Sequence, residues 1–441
     1  MIGSDDTIAA IATAAGEGGV GIVRLSGPRA IAIVAELLGV AAAELDRRVR
    51  LGVARDGAGR RLDEVLAFAM RAPASFTGED VAELHGHGGR HNLEALLAAA
   101  VAAGARIAEP GEFTRRAVAS GKLDLARAEA LLEVISAGSA RAWRLAQDNL
   151  GGRLGDAARD LESRVIRARA EIEGRIDFPE EDLEAPEERA LAAELVAVEA
   201  ACRRLASGFR HARAVTSGVT VALVGAVNAG KSSLLNALVG KERALVAAEP
   251  GTTRDYLEAT DVWDGVAVTL IDTAGTRETA DPVEQRGIEL GAARVAAADV
   301  VVRVADGGGA GSGAVADGRT LLVRSKADLA TPAQAAGGEL WTSAKTGAGL
   351  AELKRRVLAL AGVSEREGSE EAVVSTARQH AAATVAATHL AAAVAGWTAR
   401  MPGEIVALEL REASRHLAEL RGVEVGDRVL DEVFARFCIG K

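Results

Sequence analysis

The stretch that most constrains the fold is residues 219–236, where an apolar, β-branched run ends in glycine. Four residues separate Gly225 from Gly230, which is followed by Lys231 and Ser232. This spacing predicts a buried strand, a tight loop and a helix start, the arrangement of a phosphate-binding loop (P-loop). Glycines leave backbone N–H groups free to surround phosphate oxygens, the lysine reaches the β- and γ-phosphates, and the serine hydroxyl suits Mg²⁺.

Two segments downstream of the P-loop match what a guanine-nucleotide-binding domain needs around the γ-phosphate. Residues 251–255 (GTTRD) offer the hydroxyl of Thr253 as a second ligand for Mg²⁺. Residues 266–275 predict a strand ending in Asp-x-x-Gly. We therefore expect Asp272 at the strand tip near the metal and the Gly275 N–H near the γ-phosphate.

The base-reading segment is residues 319–328, a predicted strand that ends in Ser-Lys-Ala-Asp. The Asp328 carboxylate can accept both N1–H and N2–H of guanine, which adenine cannot supply. Ser325 stands where GTPases usually have Asn, and we expect the shorter side chain to lose a contact to the base edge or to a loop, at about 1 kcal/mol. Residues 343–345 (SAK) are expected to offer a backbone N–H to guanine O6. Thr276 replaces the usual Gln and is too short to orient the attacking water, so another residue or a partner must do so.

Composition limits the kinds of nucleic-acid partner and the cellular compartment that we expect for this chain. The formal net charge is −10, so we expect no general nucleic-acid binder, and any RNA contact would be local or shared with a partner. Cys202 and Cys438 are the two cysteines, which argues against a disulfide framework and favours a reducing cytoplasm. We expect no signal peptide, and we interpret the alanine-rich stretch 381–397 as a packed helix and not a membrane span.

The order of segments predicts a multidomain fold of α/β and α parts. We expect an N-terminal α/β domain over residues 1–120, a helical domain over 121–216, a Ras-like P-loop domain with a parallel sheet and helices on both faces over 217–372, and a second helical part over 373–441. The P-loop domain is thus inserted into the helical domain. Within the helical part, residues 142–169 carry helical spacing throughout, and the acidic, proline-containing stretch 171–186 predicts a loop.

Polar residues of the N-terminal domain leave two interpretations open. His85, His87 and His91 cluster beside glycines, but no cysteine or third carboxylate completes a metal site, so we favour turn histidines. Arg24 and Glu83 lie on predicted strands flanked by glycines. They are suited either to a small polar ligand or to a surface ion pair.

Several short motifs spread over nearly the whole chain point to one family. They are 18–28, 76–89, PGEFT at 110–114, KLDL at 122–125, IDFP at 176–179, the loop NAGKSS, 251–255, 272–275 and the ending FCIGK. On these residues the chain resembles the tRNA modification GTPase MnmE (TrmE) family. The resemblance implies a homodimer formed through the N-terminal domain, and a heterotetramer with MnmG (GidA), an FAD- and NADH-dependent partner. Together such proteins place an aminomethyl or carboxymethylaminomethyl group on C5 of wobble uridine 34 of tRNA.

The resemblance also implies residue roles that the residues alone do not assign. Arg24, Glu83, Lys122 and Lys441 match a pocket for 5-formyl- or methylene-tetrahydrofolate, and Cys438 matches a tail cysteine whose role we leave open. His85 stands where the family often has Gln.

A potassium site and a catalytic residue are implied in the same way. Asn228 matches a K⁺ ligand, and K⁺ beside the phosphates would act like a built-in arginine finger. Ala247, Glu249 and Thr252 lie in the loop that wraps this ion, where the alanine loses a side-chain ligand and leaves backbone carbonyls. Glu284 matches the catalytic glutamate, which orients water through a second water. The predicted GTP-binding residues are Asn228, Ala229, Gly230, Lys231, Ser232, Ser233, Ala247, Ala248, Glu249, Pro250, Gly251, Thr252, Thr253, Asp272, Thr273, Ala274, Gly275, Ser325, Lys326, Ala327, Asp328, Ser343, Ala344 and Lys345.

Two alternative functions remain at this stage. One is a GTP-dependent switch for RNA or ribosome assembly without modification chemistry, although no basic RNA-binding domain is visible in the sequence. The other is a folate-binding scaffold with a weakened GTPase, which the departures at Ser325 and at residues 247–250 keep open.

Overall fold

The computed structural model describes residues 6–177, 185–239, 257–272, 293–306, 318–329, 340–363, 372–423 and 425–441. The chain forms two compact units, one of Met1–Leu132 with Arg421–Lys441 and the other of Glu133–Leu420. The domain limits expected from the sequence, at residues 120, 216 and 372, stay predictions.

The first unit is built on a six-stranded sheet with the order β3-β4-β5-β2-β1-β6. β1 and β6 pair in parallel, and the other pairs are antiparallel. Its strands are β1 (Ile8–Ile11), β2 (Gly18–Ser26), β3 (Arg50–Arg55), β4 (Arg61–Met70), β5 (Val81–Gly88) and β6 (Arg106–Ile107). Its helices are α1 (Ala30–Leu38), α2 (Arg90–Ala102), α3 (Glu112–Ala119) and α4 (Leu125–Ser136).

Alternation along the strands gives this sheet two unlike faces. On one face, Val23, Leu25 and Leu84 are buried in a core with Ile33 of α1 and Leu96 of α2. The opposite face, which we call the open face, is covered only in part, where α3 places Phe113 against Ile8 and Ala10. The open face also carries Leu51 and Leu66, which are register partners and are 64% and 45% exposed. Leu51 and Leu66 therefore form an apolar strip that the described part of the first unit leaves exposed.

The second unit contains a six-stranded sheet with the order β12-β11-β10-β7-β9-β8. Five strands are parallel, and the edge strand β8 runs antiparallel to β9. The predicted fold class is confirmed, with this antiparallel edge as the one refinement. The strands are β7 (Val219–Val224), β8 (Leu257–Trp263), β9 (Val266–Asp272), β10 (Val300–Ala305), β11 (Thr320–Arg324) and β12 (Leu340–Trp341).

The helices of the second unit correct two details of the sequence interpretation. The segment 142–169 is not one helix, because Gly152 with φ of 103° separates α5 from α6. The loop predicted over 171–186 is too long, because α6 continues to Asp177, with Ile172 buried on the same stripe as Leu161 and Val165. The helices are α5 (Ala140–Leu150), α6 (Arg153–Asp177), α7 (Ala185–Ser207), α8 (Phe209–Thr216), α9 (Lys231–Leu238), α10 (Leu350–Leu360), α11 (Ala377–Thr398) and α12 (Gly403–Arg421).

Helix α11 is the element that resembles a membrane span by length and composition. Over its most apolar window the mean hydropathy is 1.2, and 39% of that window is buried. Within the described chain no other helix meets the same measure. It packs along α7, where the Cys202 thiol approaches the Ala383 carbonyl at 3.5 Å. Burial raises the pKa of this thiol to about 12, so Cys202 is a buried, protonated core residue.

The C-terminal segment returns to the first unit. It forms α13 (Asp427–Phe434), and Phe434 and Phe437 pack against Leu125 and Ala128 of α4. Burial of these aromatic rings fixes where the last residues of the chain lie.

Candidate functional site

The P-loop lies between β7 and α9, as its spacing predicts. Gly230 precedes α9 with φ of 93°, and a Cβ on Gly225 would stand 2.2 Å from the Val304 carbonyl oxygen, so glycine is required by two different constraints. Lys231 is buried, and its Nζ donates to the carbonyl oxygens of Gly225 and Ala226 at 2.9 and 3.0 Å. The ammonium is thus held over the loop that would surround the phosphates.

A metal-binding arrangement lies beside this lysine. Leu223 and Asp272 are register partners on β7 and β9, which brings the tip of β9 next to the P-loop. The Ser232 hydroxyl donates to Asp272 Oδ2 at 2.6 Å. Oδ1 of the same carboxylate is buried and has no hydrogen-bond partner in the described part of the chain. A hydroxyl next to a carboxylate with a free buried oxygen fits Mg²⁺, which binds oxygen ligands.

Most of the predicted base-reading residues, all but Ala327 and Ser343, line one cavity of about 510 Å³. The Asp328 carboxylate accepts a hydrogen bond from the buried Ser343 hydroxyl at 2.6 Å. This bond lowers the pKa of Asp328 and so favours the ionised carboxylate, the form that can accept the two N–H groups of guanine. The Ser343 N–H is already donated to the Ala348 carbonyl. The lining residues are Gly230, Ser233, Leu234, Asn236, Ala237, Ser325, Lys326, Asp328, Thr342, Ala344 and Lys345.

Ser325 makes a contact that the sequence interpretation expected to be at risk. Its hydroxyl donates to the Ala229 carbonyl of the P-loop at 2.7 Å, and the side chain is buried. The contact to the loop is therefore kept despite the shorter side chain. Ala327 donates its N–H to the Thr342 carbonyl, and Lys326, with φ of 61°, pairs with Asp306 at 2.9 Å.

Of the predicted residues around the phosphates, Asn228 lies within the described part of the chain. It is exposed on the P-loop with φ of 64°, a backbone conformation that asparagine tolerates better than most residues. The remaining residues lie outside the described ranges; they are Ala247, Ala248, Glu249, Pro250, Gly251, Thr252, Thr253, Thr273, Ala274, Gly275 and Glu284.

A second polar site lies on the open face of the first unit. Arg24 and Glu83 are register partners on β2 and β5, and Arg24 Nε donates to Glu83 Oε1 at 2.7 Å. His85 Nε2 lies 2.7 Å from the other oxygen, Glu83 Oε2. Burial alone would raise the pKa of Glu83, but the hydrogen bond from His85 and the charge and hydrogen bond of Arg24 outweigh it and lower the pKa. Glu83 is thus a buried carboxylate that stays charged.

Lys122 is connected to this site through a chain of short contacts. Ser26, two residues beyond Arg24 on β2, shares a hydrogen bond of 2.7 Å with the Thr77 hydroxyl. The Ser120 hydroxyl donates to the Thr77 carbonyl at 2.7 Å. The Lys122 side chain lies 3.5 Å from where a Cβ on Gly78 would stand. The Lys122 side chain therefore lies beside the turn at Thr77 and Gly78, and Thr77 contacts the strand that carries Arg24.

The chain end reaches the sheet from another side. A Cβ on Gly440 would stand 2.3 Å from the Ile11 carbonyl oxygen, so the tail backbone presses against β1. Gly111 donates its N–H to the Cys438 carbonyl at 3.4 Å, and the Cys438 side chain is exposed. The structure thus brings Lys441 to the end of the strand that pairs with β2.

The sequence analysis missed that Phe113 is a partner of Arg24 and that His85 is a partner of Glu83. The Phe113 ring lies 5.9 Å from the Arg24 guanidinium carbon, and the Phe68 ring meets the His85 ring edge-on at 5.3 Å. The available signal for His85 was its spacing, because residues 83 and 85 of one strand point to the same face of a sheet. Each of His85, His87 and His91 faces a carboxylate, and the described residues contain no group of three or more potential metal ligands.

The chain is 46% identical over 451 residues to the tRNA modification GTPase MnmE of Synechococcus sp. (strain RCC307), and the alignment covers 99% of each chain. It belongs to the tRNA modification GTPase MnmE family. MnmE proteins of Moorella thermoacetica (42% identity, 99% of this chain and 100% of the relative) and Chlamydia felis (41%, 99% and 99%) are similar to it over the same extent.

Matches to domain families divide the chain in the MnmE pattern. The family described as GTP-binding protein TrmE N-terminus matches residues 7–122, and the MnmE helical domain matches residues 125–438. Among solved structures, the G domain of the T. maritima FeoB iron transporter aligns with 32% of this chain and 98% of its own, at 31% identity and a TM-score of 0.25. MnmE membership confirms the predicted family and the assignment as a GTPase.

Proposed function

We propose that this protein hydrolyses GTP to GDP and phosphate, with Mg²⁺ and K⁺, in the course of modifying C5 of wobble uridine 34 of tRNA. The observation that carries the GTPase part is the Ser232–Asp272 pair beside the P-loop, with one carboxylate oxygen buried and free. Bound Mg²⁺ would be held there by Ser232, with Thr253, and would neutralise charge on the β- and γ-phosphates.

The chain's own groups supply the remaining parts of a phosphoryl transfer site. Lys231 neutralises the phosphates from the buried side, and Asp328 selects guanine. We assign K⁺ to Asn228, Ala247, Glu249 and Thr252, beside the phosphates. Glu284 is the proposed catalytic residue, orienting the attacking water that Thr276 cannot reach.

A tetrahydrofolate one-carbon donor is the ligand that we propose for the open-face site. Glu83 accepts N–H donors of the pterin ring, and the lysines Lys122 and Lys441 attract the glutamate carboxylates. The support is a buried, charged Glu83 between Arg24 and His85, with Lys122 beside the Gly78 turn and the chain end, at Gly440, against β1. Cys438 is exposed on the tail and stands as a candidate functional residue.

The assembly that we propose is a homodimer through the first unit and a heterotetramer with an MnmG (GidA)-type protein that holds FAD and uses NADH, in the cytoplasm. The uncovered apolar strip with Leu51 and Leu66 supports the homodimer. The net charge of −10 supports sharing the tRNA with a partner.

The deciding experiment compares GTP hydrolysis in KCl and NaCl at equal ionic strength, for wild type and Asn228→Ala. K⁺ should raise the wild-type rate at least about tenfold, because a fixed cation stabilises charge that develops in the transition state. Asn228→Ala should lose that difference between the salts. The matched control is Asn236→Ala, a second asparagine of the same domain that lines the base cavity, which should keep the KCl-to-NaCl ratio.

Equal wild-type rates in the two salts would remove the K⁺ assignments and leave activation to a partner. A salt effect that survives Asn228→Ala would remove this residue as a ligand. GTP hydrolysis in neither salt, with or without the MnmG-type partner, would overturn the proposal as a whole.

A further inference from the structure

His85 occupies a position from which it can fix the orientation of the Glu83 carboxylate. The two residues are on the same face of β5, and their side chains meet at 2.7 Å, while Arg24 takes the other carboxylate oxygen at 2.7 Å. An ionised carboxylate can only accept hydrogen bonds, so the hydrogen of this contact is on His85 Nε2. Each Glu83 oxygen is therefore fixed by one donor.

The His85 ring is itself held in place. Phe68 contacts it edge-on, with ring centres 5.3 Å apart and planes at 62°. Leu66 and Ile22 are its register partners on the neighbouring strands, so the imidazole stands in a row of apolar side chains on the open face. A flat ring with support on its sides loses little entropy on holding a carboxylate, in contrast to a flexible amide side chain.

Two donors do not use up the acceptor capacity of Glu83. A carboxylate has about four lone-pair sites, so about two remain for a ligand. The direction of those sites depends on the rotation of the carboxylate, which Arg24 and His85 set from opposite ends. We propose that His85 is a positioning residue that orients Glu83 to accept the N–H groups of a tetrahydropterin ring.

This inference rests on the proposed folate function and adds which end of the ligand the histidine serves. The pterin ring carries several N–H donors that a carboxylate such as Glu83 can accept. The charged groups of the glutamate tail are carboxylates, which a lysine attracts and a carboxylate repels. Loss of His85 should weaken every ligand that has the pterin, with or without the glutamate. Loss of Lys441 should weaken only ligands that have the glutamate.

The test is calorimetric binding of 5-formyltetrahydrofolate and of 5-formyltetrahydropteroate, which lacks the glutamate, to the full chain. His85→Leu should weaken both ligands about tenfold, the scale of one charge-assisted hydrogen bond. His85→Gln, which keeps a donor, should stay within about threefold of wild type for both. Lys441→Ala should weaken 5-formyltetrahydrofolate alone. The matched control is His87→Leu, the same change on the same strand at a histidine that contacts Asp63, and it should leave both affinities unchanged.

Each failure has its own meaning. Absence of 5-formyltetrahydrofolate binding to wild type would overturn the folate function itself. Normal binding with unchanged affinities in His85→Leu, or an equal loss in His87→Leu, would overturn the role of His85 alone. If His85→Leu does not fold by circular dichroism, Phe68→Leu decides, because loosening the ring should weaken both ligands about threefold and an unchanged affinity would contradict the proposal.

Discussion

At the scale of single residues, Ser325 and Asp328, which are three positions apart, make different contacts. The Ser325 hydroxyl has one hydrogen, and it is donated to the Ala229 carbonyl of the P-loop. No donor of this side chain is left for the base, so the proposed guanine recognition depends on Asp328, which accepts a hydrogen bond from Ser343. Ser325 therefore joins the predicted base-reading loop to the P-loop, and Asp328 is the residue that we propose reads the base.

Ser325→Ala should weaken GDP binding about fivefold, because one buried hydrogen bond between the two loops is lost and the Ala229 carbonyl is left unpaired. Ser325→Asn should bind GDP at least as tightly as wild type. The measurement is the Kd of a fluorescent GDP analogue. Ser217→Ala, which changes an exposed hydroxyl that does not line the cavity, serves as the control and should keep the wild-type Kd. An affinity of Ser325→Ala equal to that of wild type would show that the contact does not couple the loops.

At the scale of elements, α3 is fixed on the open face by a network of charges. Glu112 in its first turn is buried and accepts hydrogen bonds from Arg106 and from Arg116, at 2.7 and 3.0 Å to Oε1. Asp6 pairs with the same two arginines at 2.7 and 2.6 Å. The network holds α3 in the place where Phe113 packs against Ile8 and the Arg24 guanidinium. The open-face site thus depends on charges outside it.

This network predicts that the stability of the folded protein falls at acid pH, through protonation of Glu112. Burial raises the pKa of Glu112, but hydrogen bonds from Arg106, the Glu109 N–H and Arg116 outweigh it and lower the pKa below 4.5. A lowered folded-state pKa gives stability that is present above about pH 4.5 and is lost as the pH falls further. Glu112→Gln should cost about 2 kcal/mol at pH 7, because the buried Arg116 and the partly exposed Arg106 lose their charged acceptor.

Thermal unfolding of wild type and Glu112→Gln between pH 7 and pH 3.5 tests this expectation. The Tm of the variant should be lower at pH 7, and the gap should narrow as the pH falls below about 4.5. A gap that is constant over the whole range would contradict a charged Glu112 in the folded protein. Glu109→Gln, in which the neighbouring carboxylate is changed, is the control.

At the scale of the whole molecule, one face of the sheet in the first unit is only partly covered by the described helices of that unit. α1 and α2 bury one face of the sheet, and α3 covers only the part of the open face near β1. Leu51 and Leu66 remain exposed on adjacent strands. An uncovered apolar strip of this kind marks an association surface, and a second copy of the chain is the occupant proposed above.

Replacing both leucines with glutamate should convert the protein from a dimer to a monomer of 45.3 kDa in sedimentation equilibrium. In a symmetric dimer the change buries four carboxylates in one interface, which is costly without partners. Leu408→Glu, at a leucine of the second unit with 46% exposure, should leave the dimer intact. A doubly substituted protein that keeps the wild-type mass would move the interface elsewhere.

The sequence by itself determined the features that depend on neighbours within a few residues. The strand, loop and helix around Gly225 and Lys231 follow from local spacing, as does the placement of Asp272 at the tip of β9 and of Asp328 in the turn that follows β11, because parallel strands end at one edge of a sheet.

Only the tertiary structure decided which distant side chains meet. Arg24 and Glu83 are 59 positions apart, and their contact depends on the register of β2 with β5. Ser325 follows β11 and Ala229 follows β7, and only β10 lies between these two strands in the sheet. This strand order brings the Ser325 hydroxyl within reach of the Ala229 carbonyl. The tail joins the first unit through buried rings at Phe434 and Phe437. Register, strand order and the burial of remote apolar surface are cooperative properties of the folded chain, and local spacing carries no information about them.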